Sequence, residues 1–400
     1  MINVIGLGYI GLPTSLMLSV GGYDVTGTDI NKNLIASLEN NQVPFVEDGL
    51  ENLLATARNR GIQFVDKIVE AEIYIIAVPT PYNTQSKRID TSHVVTAVEN
   101  VLEVCQEEVI IVIESTVSPG CIDKHIRPIV RKKVRLAHAP ERIIPGSMLA
   151  ELRDNARTIG VDDNTTGQTL RDVYGAFSKG EIVLTDIKTA EMTKVVENTF
   201  RDINIAFANE LLKICDYDGM DAYEVIRIAN KHPRVNILQP GPGVGGHCIA
   251  VDPWFLVGDY PGLANIILTA RNINDSMPEY VLERIREIMK MNKLEDVRRV
   301  AIYGLTYKEN VGDIRNSPSL QLLEHMRKHL APALKCYDPF VNEQIVENQC
   351  FSLEDLLSDA DIVVIMVAHD EIKKKYDLLS NKVILDTQNA LGKGKNVYKL

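Results

Sequence analysis

The stretch Gly6-Leu7-Gly8-Tyr9-Ile10-Gly11 constrains this chain more than any other. An apolar, strand-like run at residues 2–5 precedes it and a helical pattern over residues 11–21 follows it. A second strand-like run, Tyr23 to Thr28, ends at Asp29, eighteen residues after the last glycine of the turn. Strand, glycine turn and helix in that order open a parallel βαβ unit. The glycines allow backbone amides to approach a pyrophosphate at a helix N-terminus. Asp29 can accept hydrogen bonds from both hydroxyls of a ribose and would repel a 2′-phosphate, so the pattern favours NAD over NADP.

Ile73-Tyr74-Ile75-Ile76-Ala77-Val78 and Val109-Ile110-Ile111-Val112-Ile113 are short, continuously apolar and rich in branched residues, as buried parallel strands are. They end in Pro79-Thr80-Pro81 and Glu114-Ser115-Thr116, which places Thr80 and Thr116 at the carboxyl edge where such sheets bind ligands. Strands near 157–161 and 181–184 close a first domain at residues 1–186. The texture then turns helical, from Thr189 to about Asp216 and again from 262 to 291 with a break near Pro278. Residues 187–292 read as a helical spacer and dimerisation segment, too narrow for a substrate pocket of their own. Strand-like runs return at residues 299–304, 334–338, 362–367 and 383–386, giving a second parallel domain at residues 293–400. It lacks a G-x-G-x-x-G turn, so a second dinucleotide is not expected there. The fold class expected is α/β: two Rossmann-like, doubly wound parallel-sheet domains joined by a long central helical segment.

A net charge of −11 over 400 residues argues against nucleic acid as partner. Anionic ligands would need Arg and Lys gathered locally. No run of eighteen apolar residues suggests a membrane span, and the apolar first twenty residues lack the basic start of a signal sequence. The six cysteines form no C-x-x-C pair, and neither they nor the eight histidines show metal-ligand spacing, so no metal is expected. Five of the cysteines read as small core residues, and free thiols fit a reducing, cytoplasmic compartment.

The sixth, Cys248, lies in Pro242-Gly243-Val244-Gly245-Gly246-His247-Cys248-Ile249-Ala250-Val251-Asp252-Pro253-Trp254. A nicotinamide site oxidises an alcohol to an aldehyde without any thiol. A thiol becomes useful when the aldehyde is oxidised again, because its thiohemiacetal can lose a second hydride and leave a thioester for water to cleave. Gly245 and Gly246 permit a tight, exposed loop. Lys194 and Asn198 stand four apart on one helix face, able to hold a reacting oxygen and a water, although such a pair also occurs on solvated surfaces. Asp252 is assigned to orienting Lys194 or the water. Glu141, beside Arg142 in His138-Ala139-Pro140-Glu141-Arg142, is a candidate base for the hydrolytic water. Lys308, Asp313 and Arg315 suit a phosphate and sugar clamp. Arg201, His232 and Arg234 read either as ligand contacts or as exposed and turn residues.

Together these motifs resemble the UDP-glucose/GDP-mannose dehydrogenase family over essentially the whole chain. The stretches carrying the resemblance are His232 to Phe255, and Ala190-Glu191-Met192-Thr193-Lys194 continuing through Glu197-Asn198-Thr199-Phe200-Arg201-Asp202 to Glu210. The resemblance implies two successive NAD-dependent oxidations at C6 of a UDP-sugar, with UDP-N-acetyl-D-mannosamine as the sugar. UDP-N-acetylglucosamine and UDP-glucose are the alternatives, a single-step hydroxyacid dehydrogenase is more distant, and a catalytically silent NAD-binding regulator is remote. It implies Cys248 as nucleophile, Lys194 as acid/base or oxyanion partner, and Asn198 and Asp252 as assistants. Gly6, Gly8, Tyr9, Ile10, Gly11, Asp29, Thr80 and Thr116 fall to the cofactor. Arg142, Ile143, Lys194, Asn198, Arg201, His232, Arg234, Gly245, Tyr307, Lys308 and Arg315 fall to the substrate. A homodimer is implied as well, with Arg234 reaching the neighbouring subunit's site. The UDP-glucose branch carries a second glutamate four residues after the position of Glu141. Pro145 stands there in this chain, which fits the N-acetylhexosamine branch and leaves the water-activating group open.

Overall fold

The computed structural model describes residues 1–83, 85–328, 334–392 and 394–400. The chain divides into two compact units, Met1–Glu197 and Asn198–Leu400.

The first unit is built on an eight-stranded sheet: β1 (Ile2–Ile5), β2 (Val25–Thr28), β3 (Gln63–Val65), β4 (Ile73–Ile76), β5 (Ile110–Ile113), β6 (Arg135–His138), β7 (Arg157–Val161) and β8 (Ile182–Thr185). Its order is β3-β2-β1-β4-β5-β6-β7-β8, which begins with the 3-2-1-4-5-6 sequence of dinucleotide-binding sheets. Alternation along β4 shows why its apolar run is unbroken. Ile73 and Ile75 pack with Leu12 and Leu16 of the Gly11–Val20 helix, while Tyr74 and Ile76 pack with Val94, Val98 and Val101 of the Ser92–Val104 helix. Both faces are covered, and each buried aliphatic side chain contributes roughly 2 kcal/mol. The Gly11–Val20 helix is itself enclosed, with Leu12, Leu16, Leu18 and even Thr14, Ser15 and Ser19 buried. That burial accounts for the apolar character of the first twenty residues.

The sheet departs from the expected parallel order at one place. Strand β7 runs antiparallel to β6, with Ala137 opposite Val161 and His138 opposite Gly160. The connection from β6 leaves and returns at the carboxyl edge, so Arg157, the first residue of β7, stands at the edge that carries Glu114 and Glu141. Strand β8 then pairs with β7 in parallel.

The long helix Ile187–Tyr217 ends the first unit and begins the second. The second unit continues with helices Ala222–Ala229, Asp252–Asp259, Asn265–Asp275 and Met277–Met291. Pro278 lies in the first turn of the last of these, where a missing N–H costs nothing, so the break falls between two helices as expected. A five-stranded parallel sheet follows: β9 (Val300–Tyr303), β10 (Lys335–Tyr337), β11 (Ile362–Ile365), β12 (Val383–Asp386) and β13 (Val397–Lys399), ordered β10-β9-β11-β12-β13. This 2-1-3-4-5 order is the other common doubly wound arrangement. Its two faces are again covered separately: Val300, Ile302 and Val364 join one core, and Ala301, Tyr303 and Val363 the other. Among the described residues no helix is long and apolar enough to cross a membrane.

Candidate active site

Within the first unit, the glycine turn shows three different requirements. Gly6 has φ +89°, and a Cβ there would lie 2.7 Å from the Ala77 carbonyl oxygen. A Cβ on Gly11 would collide with the Gly6 carbonyl oxygen, whereas one on Gly8 would meet nothing within 4 Å. Gly6 and Gly11 are therefore demanded by the fold, and Gly8 leaves its side of the backbone open, as close approach of a dinucleotide requires. Asp29 accepts the Leu7 amide on Oδ2 at 2.8 Å and the Asn31 amide on Oδ1 at 2.8 Å. Those bonds fix the carboxylate at the strand end while it remains half-exposed for a ribose. Tyr9 stacks on Phe45 with ring centroids 4.4 Å apart, and Ile10 precedes the helix at Gly11. Thr80 and Thr116 follow β4 and β5, and the intervening Ser115 hydroxyl donates to the Val78 carbonyl at 2.7 Å. These contacts fit an NAD molecule laid along the carboxyl edge.

Beneath that edge lies a buried charged cluster that sequence reading did not find. Arg157 donates to Glu114 Oε1 at 3.1 Å and to Glu141 Oε2, and its guanidinium lies 4.2 Å from the Tyr174 ring centroid. The Oε2 of Glu114 and the hydroxyl of Thr14 are buried beside this cluster, and Thr14 acts on the Glu114 carboxylate. Burial pushes the Glu114 carboxyl up to about 7, against the opposing pull of Arg157. Glu141 uses its other oxygen to accept the Arg142 amide at 2.6 Å. Both of its oxygens are thus engaged, which holds the loop in shape and leaves each oxygen a further acceptor site. Arg142 is fixed in turn by the Ala156 carbonyl, Thr158 and Glu197 at 2.8–2.9 Å. Ile143 packs its side chain against the core. Glu191, also missed, accepts the Gly120 and Ile122 amides and ties the long helix to the loop after β5. Lys194, one turn further on, is buried and pairs with no carboxylate among the described residues.

Within the second unit, Cys248 is exposed and the other five cysteines are buried, as the sequence suggested. Its carbonyl accepts the amides of Val251 and Asp252, a turn that leads into the Asp252–Asp259 helix. The glycines before it serve close packing. A Cβ on Gly245 would lie 2.6 Å from Tyr307 Cβ, and Gly246, with φ +83°, faces the Tyr307 ring. The Gly246 amide donates to the Arg315 carbonyl at 2.8 Å, and Asn316 donates to the Gly246 carbonyl at 3.0 Å. The thiol loop is therefore stitched to the loop after β9 that carries Tyr307, Lys308 and Arg315. Arg315 forms a forked pair with Asp313 at 2.6–3.1 Å. His247, which sequence reading passed over, has its ring pushed below the usual imidazole range by burial and by the Arg315 charge. Asn198 donates to Asp252 Oδ2 at 2.6 Å, with both side chains buried, so Asp252 orients Asn198.

Arg201, His232 and Arg234 are exposed. The segment carrying His232 and Arg234 is held on the long helix by Asn204, which donates to the Asn236 carbonyl and accepts the Leu238 amide, and by Asn209, which accepts the Gly241 amide. These asparagines stand five residues apart, which is not the spacing of one helix face, so no periodicity in the sequence pointed to them.

A 3-2-1-4-5-6 sheet with an open glycine turn and a ribose carboxylate, in a chain whose second α/β unit carries an exposed thiol, defines a nicotinamide-dependent oxidoreductase. The chain belongs to the UDP-glucose/GDP-mannose dehydrogenase family. Residues 1–178 match its NAD binding domain, residues 188–276 its central domain and residues 301–393 its UDP binding domain. It is 43% identical to a UDP-N-acetyl-D-mannosamine dehydrogenase of Methanocaldococcus jannaschii, over 98% of this chain and 93% of that one. The fold is similar to that of a UDP-D-ManNAc dehydrogenase from Pyrococcus horikoshii (TM-score 0.91, 33% identity, 100% and 98% of the two chains). It is similar also to that of a UDP-N-acetyl-mannosamine dehydrogenase from Staphylococcus aureus (TM-score 0.88, 39% identity, 100% and 97% of the two chains).

Proposed function

We propose that this protein oxidises UDP-N-acetyl-D-mannosamine at C6 to UDP-N-acetyl-D-mannosaminuronate, consuming two NAD and one water. NAD, held by the Gly6–Gly11 turn, Asp29, Thr80 and Thr116, supplies a hydride acceptor for each step. Lys194 takes the C6 hydroxyl proton as the alcohol becomes an aldehyde. The Cys248 sulfur adds to the aldehyde carbon, and the thiohemiacetal loses its C6 hydrogen as hydride to become a thioester. Water then cleaves the C–S bond, which returns the thiol and releases the carboxylate. Asn198, fixed by Asp252, donates to the oxygen that carries charge in these steps. A free thiol with an ordinary pKa is only about 3% thiolate at pH 7, so reaction depends on an accessible sulfur in a rigid loop. The pyrophosphate and uridine fall to Tyr307, Lys308 and Arg315, and the sugar to Arg142 and Ile143.

The observation carrying this reading is the exposure of Cys248 alone among six cysteines, in a loop fastened to Tyr307, Arg315 and Asn316. The test supplies NAD with UDP-N-acetyl-D-mannosamine and its C2 and C4 epimers and counts NADH per uronate. Two NADH per uronate are expected, with the manno epimer turned over fastest. Cys248→Ser should lower acid formation by about 1,000-fold or more. Acid formed at the wild-type rate by that variant removes the thiol from the mechanism.

We further propose a homodimer formed on the long helix, in the cytoplasm. Phe207 and Ile266 are 49% and 70% exposed on neighbouring helices and border an apolar groove with Ile203, Ala270 and Ile273. The same proposal gives the exposed Arg234 a contact with the neighbouring subunit's substrate.

A further inference from the structure

His369 has no part in the chemistry above, yet it sits at the centre of the contacts that shape the loop after β9. Its ring is fully buried, so it touches no ligand directly. The Asn310 amide donates to His369 Nδ1 at 2.9 Å. That bond requires Nδ1 to be unprotonated, which places the proton of the neutral ring on Nε2. Nε2 then donates to Asp338 Oδ2 at 3.1 Å. The same carboxylate oxygen accepts the amides of Leu305 at 2.7 Å and Thr306 at 2.9 Å, and the Thr306 hydroxyl lies within hydrogen-bond distance of the Lys308 carbonyl, Asp338 and His369. Asn310, with φ +58°, accepts the Asp370 amide on its side-chain Oδ1 at 3.1 Å. Phe340 and Tyr303 pack against the ring at centroid distances of 5.0 and 5.9 Å.

The segment Leu305–Asn310 is therefore clamped at both ends by one hydrogen-bonded pair. Asp338 holds its start, His369 holds its end, and each holds the other. Tyr307 and Lys308 lie between the two clamps, and Tyr307 is also the ring on which Gly245 and Gly246 of the thiol loop are packed. We propose that His369 and Asp338 form a positioning pair for UDP-sugar binding, setting the conformation of Tyr307–Lys308 from beneath and, through Tyr307, the seat of the Cys248 loop. This rests on the reading of Tyr307 and Lys308 as nucleotide-sugar contacts.

The test measures the dissociation constant of UDP alone by calorimetry, and KM and kcat with UDP-N-acetyl-D-mannosamine and NAD, on three forms of the full chain. Wild type must bind UDP; failure there overturns the assignment of the nucleotide site itself. His369→Phe fills the ring's space but offers neither nitrogen. It should weaken UDP and raise the UDP-sugar KM about tenfold, with the NAD KM within about twofold of wild type. His369→Asn keeps an acceptor close to the place of Nδ1 for the Asn310 amide. It should recover at least half of that loss on a logarithmic scale, a rescue that a merely space-filling role does not give. Unchanged UDP affinity in His369→Phe, or no rescue by Asn, overturns the proposal. If His369→Phe does not fold, His369→Leu, which also lacks both nitrogens, takes its place: UDP affinity at least about fivefold weaker than in His369→Asn supports the proposal, and equal affinities overturn it.

Discussion

Asp29 and Asp338 occupy equivalent places in the two sheets, and they have been put to different uses. Each follows the strand beside the first strand of its sheet. Each accepts, on Oδ2, the amide of the leucine after a left-handed glycine: Leu7 after Gly6, and Leu305 after Gly304. Each accepts, on Oδ1, the amide two residues ahead, Asn31 in one case and Phe340 in the other. Even the glycine amides match, Gly6 donating to the Thr28 carbonyl and Gly304 to that of Tyr337. The divergence begins two residues after each glycine. Gly8 leaves open space in the first sheet, while Thr306 stands at that position in the second and joins His369 in covering its aspartate. Asp29 is half-exposed and Asp338 only 2% exposed. One framework thus ends in a carboxylate free to meet a ribose, and the other in a carboxylate that braces the loop carrying Tyr307 and Lys308. Sheet order alone does not tell these apart.

The largest effect that would sharpen or break this contrast is on stability. Asp338→Ala leaves two buried amides and a buried imidazole without their acceptor, and should cost about 3–5 kcal/mol. Asp29→Ala strands the Leu7 amide but lets solvent reach Asn31, and should cost about 1–2 kcal/mol while raising the NAD KM. Equilibrium urea unfolding of both variants measures the difference. Equal losses would mean that the two carboxylates are equally structural.

The pH dependence of stability should differ as well. Glu114 follows β5, and the residue at the same register in the second sheet, after β12, is the neutral Thr387, which donates its hydroxyl to the Ile365 carbonyl at 2.7 Å. Burial raises the Glu114 carboxyl from 4.5 to about 7. Between those values the folded chain binds the proton and the unfolded chain does not, so this group's contribution falls as pH rises, by an amount on the order of 3 kcal/mol across the window. Glu114→Gln cannot titrate. Wild type should therefore lose stability relative to the variant between pH 4.5 and 7, and the difference should be flat above about pH 8. Asp338 acts in the opposite sense, since its carboxyl is held below the usual range despite burial, by His369 and the Thr306 and Phe340 amides. Its contribution is complete above about pH 4 and fades as pH falls further. A pH-independent difference between wild type and Glu114→Gln would show that the cluster's proton stays put.

Much of the framework was legible because it is written locally. Unbroken branched runs at residues 73–76, 110–113, 300–303 and 362–365 are what strands buried on both faces require, and the helical texture from Thr189 onward became Ile187–Tyr217. Cys248 stood out because its glycines had no helical or strand purpose. Strand direction left no such mark: β7 has the same local pattern whether it runs parallel or antiparallel to β6, and only the reversal brings Arg157 to Glu114 and Glu141. Those three are separated by 43 and 16 positions in the chain, and Asp338 and His369 by 31. Periodicity reports which face of one element is buried; it carries no information about which charge a distant loop places against it. Glu141 was singled out from its neighbours in sequence, while its partner Arg157 went unseen.

The smallest expected change in stability belongs to Gly8, and it tests the comparison most directly. Gly6 and Gly11 cannot accept a methyl group, the first for its left-handed backbone and the second for its contact with the Gly6 carbonyl. Gly8 has no such excuse within the protein, because its φ is ordinary for an L residue and nothing lies within 4 Å of the added carbon. Gly8→Ala should leave the unfolding free energy within about 0.5 kcal/mol of wild type. If the open side of the turn is where a pyrophosphate lies against the backbone, the same methyl group stands in its way, and the NAD KM should rise about tenfold or more with UDP affinity unchanged. Thr306 shows what the second sheet does with this position: its side chain bonds and covers the Asp338 carboxylate. An NAD KM unmoved by Gly8→Ala would mean that the vacancy beside Gly8 is not what distinguishes the two sheets, and the difference in ligand would have to come from the exposure of Asp29 alone.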